Sequence, residues 1–182
     1  EIKLDEIDRL IMAITGTYLE VVADDYSYAR GARIKLSIEA INRLDFPIEL
    51  VGLTIEPWGF NVDLDQPMHF NQKIVNDYSL NIPDSIDLTS PYWLNEKSTL
   101  GMYYVADKDQ IGKAINDPIL QARFTLALGK QYLELKKPIY HKFTDPVDGE
   151  VYRPIAIVPD VAINVSVDNV VFSDDNSKNV NF

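Results

Sequence analysis

The side chains that could run a reaction in this chain are few, and none stands at a spacing that a reaction needs. His69 and His141 sit in Met-His-Phe and Tyr-His-Lys contexts. Neither belongs to a His-x-x-x-His, His-Glu-x-x-His or His-x-Asp pattern, the spacings that bring ligands to one metal. They read as isolated surface or half-buried histidines. Asp24-Asp25, Asp63-x-Asp65 and Asp174-Asp175 could offer oxygens to calcium. The alternating Asp loop with glycine at its sixth position is missing, however, and Asp is also a favoured turn residue. Carboxylate pairs of glycosidase type are defined by separation in space, which sequence spacing does not give. There is no Gly-x-Ser-x-Gly elbow. Gly52, Gly59, Gly101, Gly112 and Gly129 stand alone, so no loop cradles a phosphate. The chain has no cysteine, which removes disulfides, thiolate metal sites and cysteine nucleophiles. No catalytic, cofactor-binding or metal-binding residue is therefore assigned, and the chain is read as non-enzymatic. A hydrolase built from scattered carboxylates is the rival enzyme reading.

The aromatic residues are more suggestive. Trp58 and Phe60 follow a strand end, Tyr92 and Trp93 follow Pro91, and Tyr103 and Tyr104 come soon after. An exposed ring offers a flat apolar face on which a sugar can stack, and these six residues are the candidate glycan contacts. Rings of this size also fill cores and cover sandwich edges. Their exposure decides between the two.

The 182 residues suffice for one large domain, with 46% hydrophobic residues and a net charge of −11. That charge disfavours nucleic acid and anionic membrane as partners, because phosphate-rich surfaces repel it. No apolar run approaches the ~18 residues of a membrane span, and no signal peptide is recognisable. The chain starts with Glu1 rather than Met, which leads us to expect a segment of a longer protein.

The elements that must position these residues can be read from periodicity. Ile2, Ile7, Leu10, Ile11 and Ile14 recur at roughly helical spacing, with Gly16 as a stop. Residues 1–16 thus form a short connecting helix, which must pack on the domain behind it or on one before it. From residue 17 the period is two. Residues 32–41 are clearest: Ile34, Leu36, Ile38 and Ala40 point one way, and Arg33, Lys35, Ser37 and Glu39 the other. Further strands are expected over 18–23, 48–55, 60–64, 74–82, 101–105, 122–128 and 132–143, with a hairpin turn at Gly129-Lys130. The fold class is all-β, an immunoglobulin-like antiparallel sandwich of seven strands over 17–143. An insertion at about 83–118 separates late strands and carries one short strand at 102–105. Residues 144–160, with Pro146, Gly149, Pro154 and Pro159, read as an extended linker. Within it, Asp145-Pro-Val-Asp-Gly149 has the residues of a tight turn. As a rigid connector it would bury Tyr152 and pair Arg153 with Asp145 or Glu150; a solvated linker is the alternative. Residues 161–182 form a last strand of the sandwich or begin another β unit.

Three blocks resemble a known family. They are Thr15-Gly-Thr-Tyr-Leu-Glu-Val21 with Gly31-Ala-Arg-Ile-Lys-Leu-Ser-Ile-Glu-Ala-Ile-Asn-Arg43; Ser90-Pro-Tyr-Trp-Leu94 with Gly101-Met-Tyr-Tyr-Val105 and Ile111-Gly-Lys113; and residues 140–154, with Thr144-Asp-Pro-Val-Asp-Gly-Glu-Val-Tyr-Arg-Pro154. They look like the region downstream of the catalytic domain in large bacterial PIG-L (LmbE-like) N-acetylglucosaminyl deacetylases of Bacteroidetes type. The strand–Asn-Arg–strand portion is also similar to sandwich modules appended to glycosidases. In that family the catalytic domain is a Rossmann-like unit with a His-Pro-Asp-Asp zinc motif. A metal-bound water attacks the N-acetyl group and a nearby Asp acts as base. None of this maps onto the chain. Phe70-Asn71 follows His69, Lys142-Phe143 follows His141, and Val22-Ala23 precedes Asp24-Asp25. The resemblance implies a non-catalytic accessory region of an exported, extracytoplasmic (periplasmic or secreted) sugar N-deacetylase. It implies that the partner is the parent's catalytic domain, where the zinc would reside, and that this chain holds no cofactor. A carbohydrate-binding module using the exposed rings is the alternative, with glycan as partner.

Overall fold

The structure, a computed structural model, describes residues 2–162. Helix α1 (Ile2–Thr15) opens the chain. It stops at Gly16, whose φ of +60 is a left-handed conformation that glycine adopts at little cost. Eleven strands follow: β1 (Tyr18–Ala23), β2 (Ser27–Ala29), β3 (Arg33–Ile41), β4 (Ile48–Glu56), β5 (Phe60–Met68), β6 (Lys73–Asn81), β7 (Gln121–Leu128), β8 (Gln131–Pro138), β9 (Tyr140–Asp145), β10 (Gly149–Pro154) and β11 (Ala156–Val158). They form a five-stranded sheet in the order β10-β9-β1-β3-β6, a four-stranded sheet β5-β4-β7-β8, and the pair β11-β2. Set against each other, β1-β3-β6 and β5-β4-β7-β8 have the strand order of an immunoglobulin-like sandwich. The β9–β10 hairpin is an addition to its first sheet, alongside β1.

The core is the sum of the alternations. Leu19 and Val21 of β1 and Ile34, Leu36 and Ile38 of β3 meet Leu50, Leu53 and Ile55 of β4 and Phe124 and Leu126 of β7 in one buried cluster. Each such side chain contributes about 1.5–3 kcal/mol by leaving water. Two edge strands from opposite sheets also touch. Gln66 and Asn76 exchange amide hydrogen bonds of 3.4 and 3.2 Å, and Phe60 meets Tyr78 edge-on at 5.7 Å. In β4 the register shifts between Leu50 and Gly52. A Cβ at Gly52 would lie 2.9 Å from the Val62 carbonyl oxygen, so the neighbouring backbone comes closer there than any other residue permits.

The structure departs from the sequence reading in several places. The run expected as one strand over 132–143 breaks at Ile139, where the chain passes from one sheet to the other. Ile139 is wholly buried at the crossing, and its N–H donates to the Leu120 carbonyl at 3.0 Å. Residues 144–160, expected as an extended linker, complete the β9–β10 hairpin and then form β11. The hairpin turns through Asp145, whose Oδ1 accepts from Val147 N and Asp148 N at 2.8 and 3.0 Å, with Gly149 at φ +78. Ile155 and Ile157 are buried between Pro154 and Pro159, which is why this segment stays on the sandwich. β11 pairs parallel with β2 and is clamped by Thr89, whose N–H donates to the Ile157 carbonyl at 2.8 Å and whose Oγ1 accepts from Ile157 N at 2.9 Å. The insertion between β6 and β7 contains two short 3-10 turns, Tyr92–Leu94 and Lys108–Gln110. The strand expected at 102–105 is only a bridge between Thr99 and Met102. Finally, Tyr152, which the rigid-connector reading would bury, is 42% exposed. The strand or β unit expected from residue 161 onward lies almost wholly outside the described residues.

Candidate functional site

The registers divide the sandwich into two ends. Tyr18 lies opposite Ile41, so α1 leaves beside the β3–β4 loop. Asn42 bridges Phe70, which brings the β5–β6 turn to the same end. Arg33 lies opposite Asn81, and Gln121 opposite Glu56, so the insertion stands at the other end.

At the first end, α1 touches the sandwich lightly. Met12 packs against the core. Thr15 Oγ1 donates to the Ile11 carbonyl at 2.9 Å and accepts from Thr17 Oγ1 at 2.8 Å. A Cβ at Gly16 would approach Arg43 Cβ to 3.1 Å, so the helix exit lies against the β3–β4 loop. The apolar positions Ile7, Leu10 and Ile14 are 51, 59 and 67% exposed. They repeat at i, i+3 and i+7, one stripe of the helix. Leu44, Phe46 and Phe70, on the loops of the same end, are also exposed. Asn42 holds those loops. Its Nδ2 donates to the Phe46 and Met68 carbonyls at 2.9 and 3.0 Å, and its Oδ1 accepts from Leu44 N at 3.0 Å.

At the second end, the insertion encloses a polar cleft of about 320 Å³, lined by Tyr92, Asn95, Glu96, Asp107, Gln110, Asn116 and Asp117, with Val105 and Ala106. Asn116 fixes the Tyr92 turn. Its Oδ1 accepts from Tyr92 N at 3.0 Å, and its Nδ2 donates to the Ser90 carbonyl at 2.6 Å. The Tyr92 hydroxyl donates to the Lys113 carbonyl and accepts from Gly112 N, both at 3.3 Å.

The six rings proposed from sequence lie on two elements, the β4–β5 hairpin and the insertion. Trp58 and Phe60 flank the β4–β5 hairpin, half-buried against the core. Tyr92 and Trp93 pack edge-on at 4.9 Å and are half-buried in the insertion. Tyr103 and Tyr104 are exposed. Among the six, only Tyr92 and Trp93 meet ring to ring, and only Tyr92 lines the cleft.

His69 is exposed. His141 places Nδ1 3.0 Å from the Ala23 carbonyl oxygen and stacks on Phe143 at 5.8 Å. Asp24 caps its own turn, accepting from the Tyr28 hydroxyl at 2.6 Å and from Lys35 N at 2.9 Å. Asp174 and Asp175 lie outside the described residues. No three His, Cys, Asp or Glu residues gather as metal ligands would, among the described residues. Among the same residues no helix is long and apolar enough to cross a membrane.

Sequence reasoning missed a charged cluster around Glu20. Lys142 Nζ donates to Glu20 Oε2 at 2.7 Å, and the Tyr152 hydroxyl lies within hydrogen-bond reach of Glu20 Oε1 at 3.2 Å and Glu150 Oε2 at 2.8 Å. Burial raises the Glu20 carboxyl, but hydrogen bonds from Lys142 and Tyr18 outweigh it and hold the group below the usual range. The hydrogen bond to Glu20, with that group's charge, keeps the Lys142 ammonium protonated to higher pH. Burial and the bond to Glu20 push Tyr18 up to about 12. No local pattern links these residues; only the strand order, with β9 between β1 and β10, brings them together. Arg153, expected to pair with Asp145 or Glu150, instead stacks its guanidinium over the Tyr26 and Phe143 rings, at 5.0 and 5.1 Å. Compared with protein-family models, with curated proteins and with solved structures, the chain matched none.

Proposed function

We propose that this chain is a non-catalytic accessory sandwich that docks through α1 onto a neighbouring protein domain. The observation that carries this reading is the exposed stripe Ile7, Leu10 and Ile14. A helix of 14 residues draws its stability from packing an apolar face rather than from its own hydrogen bonds. This one turns that face away from its own sandwich. Leu44, Phe46 and Phe70 are exposed on the loops of the same end, and large exposed apolar area marks a protein-contact surface.

The neighbour, in this reading, is the catalytic domain of an exported LmbE-like zinc-dependent sugar N-deacetylase. Support comes from the resemblance of the three sequence blocks. Glycan binding by all six rings as one platform has less support, since four of them are half-buried and divided between the β4–β5 hairpin and the insertion.

The test is a photo-cross-linking amino acid at position 10, in a chain that also carries the domain N-terminal to α1. The expected product is a cross-link to that domain. Cross-links confined to the sandwich itself would overturn the reading.

A further inference from the structure

We propose that the cleft in the insertion binds a single sugar ring, neutral or carrying an amine. This goes beyond the docking reading and concerns the opposite end of the sandwich. At about 320 Å³ the cleft lies at the small end of ligand pockets, which run from about 300 to 1,000 Å³, so it suits one ring rather than a chain.

Its walls join three kinds of group: the Tyr92 ring, the carboxamides of Asn95, Gln110 and Asn116, and the carboxylates of Glu96, Asp107 and Asp117. Carboxamides both donate and accept, and carboxylates accept strongly. Together they match vicinal hydroxyls, each of which does both. A tyrosine face covers the apolar side of a pyranose.

The walls are held in advance of any ligand. Asn116 is fixed between Tyr92 N and the Ser90 carbonyl. Asp107 is fixed by Asp109 N at 3.0 Å and Gln110 Nε2 at 3.3 Å. Preorganised polar groups of this kind lose little freedom when a ligand arrives. Asn95 and Glu96 make no side-chain hydrogen bond to the described residues, which leaves them for the ligand. The charge balance sets selectivity. Lys97 and Lys108 adjoin Glu96 and Asp107 in sequence but neither lines the cleft, and Lys113 is taken by Asp117 at 2.6 Å. The lining thus carries carboxylates and no cation, so the cleft attracts an ammonium and repels a carboxylate.

The experiment is an amide-resolved NMR titration of the 182-residue chain with glucose, glucosamine and glucuronic acid. Saturable shifts are expected for glucose and glucosamine, confined to residues 92–117, with glucosamine the tighter. Glucuronic acid is expected to give none. Glu96→Gln should weaken glucosamine at least about tenfold by removing a charge-assisted bond, with little change for glucose, and Asn95→Ala should weaken both. Both residues are exposed, so neither change threatens the fold. Absence of saturable shifts with glucose and glucosamine, equal binding of glucuronic acid, or shifts indifferent to both substitutions would overturn the proposal.

Discussion

Lys142 reaches Glu20 across 2.7 Å, and this contact does what the backbone there does not. β9 pairs with β1 through only two positions, Val22 with Tyr140 and Ala23 with His141. The ion pair, with Tyr152 on the same carboxylate, fastens the β9–β10 hairpin to the sheet beyond that short ladder. Both partners are largely shielded, with side chains 14 and 25% exposed for Glu20 and Lys142.

Glu20→Gln is therefore expected to cost about 1–2 kcal/mol, the range between a surface pair and a charged hydrogen bond. It should speed amide exchange over residues 140–154 more than elsewhere. The pH dependence follows from the signs. Glu20 is held below its ordinary value, so its contribution is complete above about pH 4.3 and is lost as pH falls through the folded value. Lys142 and Tyr18 are raised, so theirs is complete below about pH 10 and is lost as pH rises. Urea midpoints against pH should fall at both extremes in the native chain and less steeply in Glu20→Gln. Identical profiles would remove the anchor.

Leu36 is buried and Lys35 faces out. Leu36→Ala should cost roughly 2–5 kcal/mol through lost burial and a cavity, and Lys35→Ala under about 0.5 kcal/mol. Denaturant unfolding of the two variants measures both. The reverse order would mean a register shifted by one residue.

Much of this fold was legible because local rules and tertiary context agree. Ile34, Leu36 and Ile38 alternate with charged residues because one face of β3 is wet. Gly16 and Gly129 fall where the chain takes φ of +60 and +64. Legibility failed where residues are buried for two reasons at once. Ile139 keeps the alternation going across a change of sheet, so β8 and β9 read as one strand. Residues 144–160 carry the prolines and glycine of a linker, and nothing local reveals that Ile155 and Ile157 fill a gap beside β2. The partners of Arg153 were misread because Asp145 is engaged by its own turn and Glu150 by Tyr152. The rings that take the guanidinium include Tyr26, brought near only by the strand order. For the same reason the six aromatic candidates could be named but not sorted.

Asn42 falls between the strands expected over 32–41 and 48–55, and it is buried with three hydrogen bonds to the backbone, two in the β3–β4 loop and one at the end of β5. Asn42→Ala should cost about 2–4 kcal/mol, because it leaves those backbone groups short of a partner. Asn42→Asp should be costly as well, since it replaces a donor to two carbonyls with an acceptor. Thermal unfolding of both variants checks this; a native midpoint for either would show that the loops do not depend on the amide.

The accessory reading also predicts that the purified chain releases no acetate from N-acetylglucosamine derivatives, with or without added zinc. Zinc-dependent release that follows the chain through repeated chromatography would contradict it.

The most direct measurement of the docking claim is amide hydrogen exchange of α1 in two settings. In the 182-residue chain alone, the amides around Ile7, Leu10 and Ile14 should exchange far faster than those of β3, because their side chains are unburied. With the proposed N-terminal neighbouring domain attached, the same amides should become strongly protected while β3 stays unchanged. Equal exchange of α1 in the two settings would contradict the claim that this helix is the docking face.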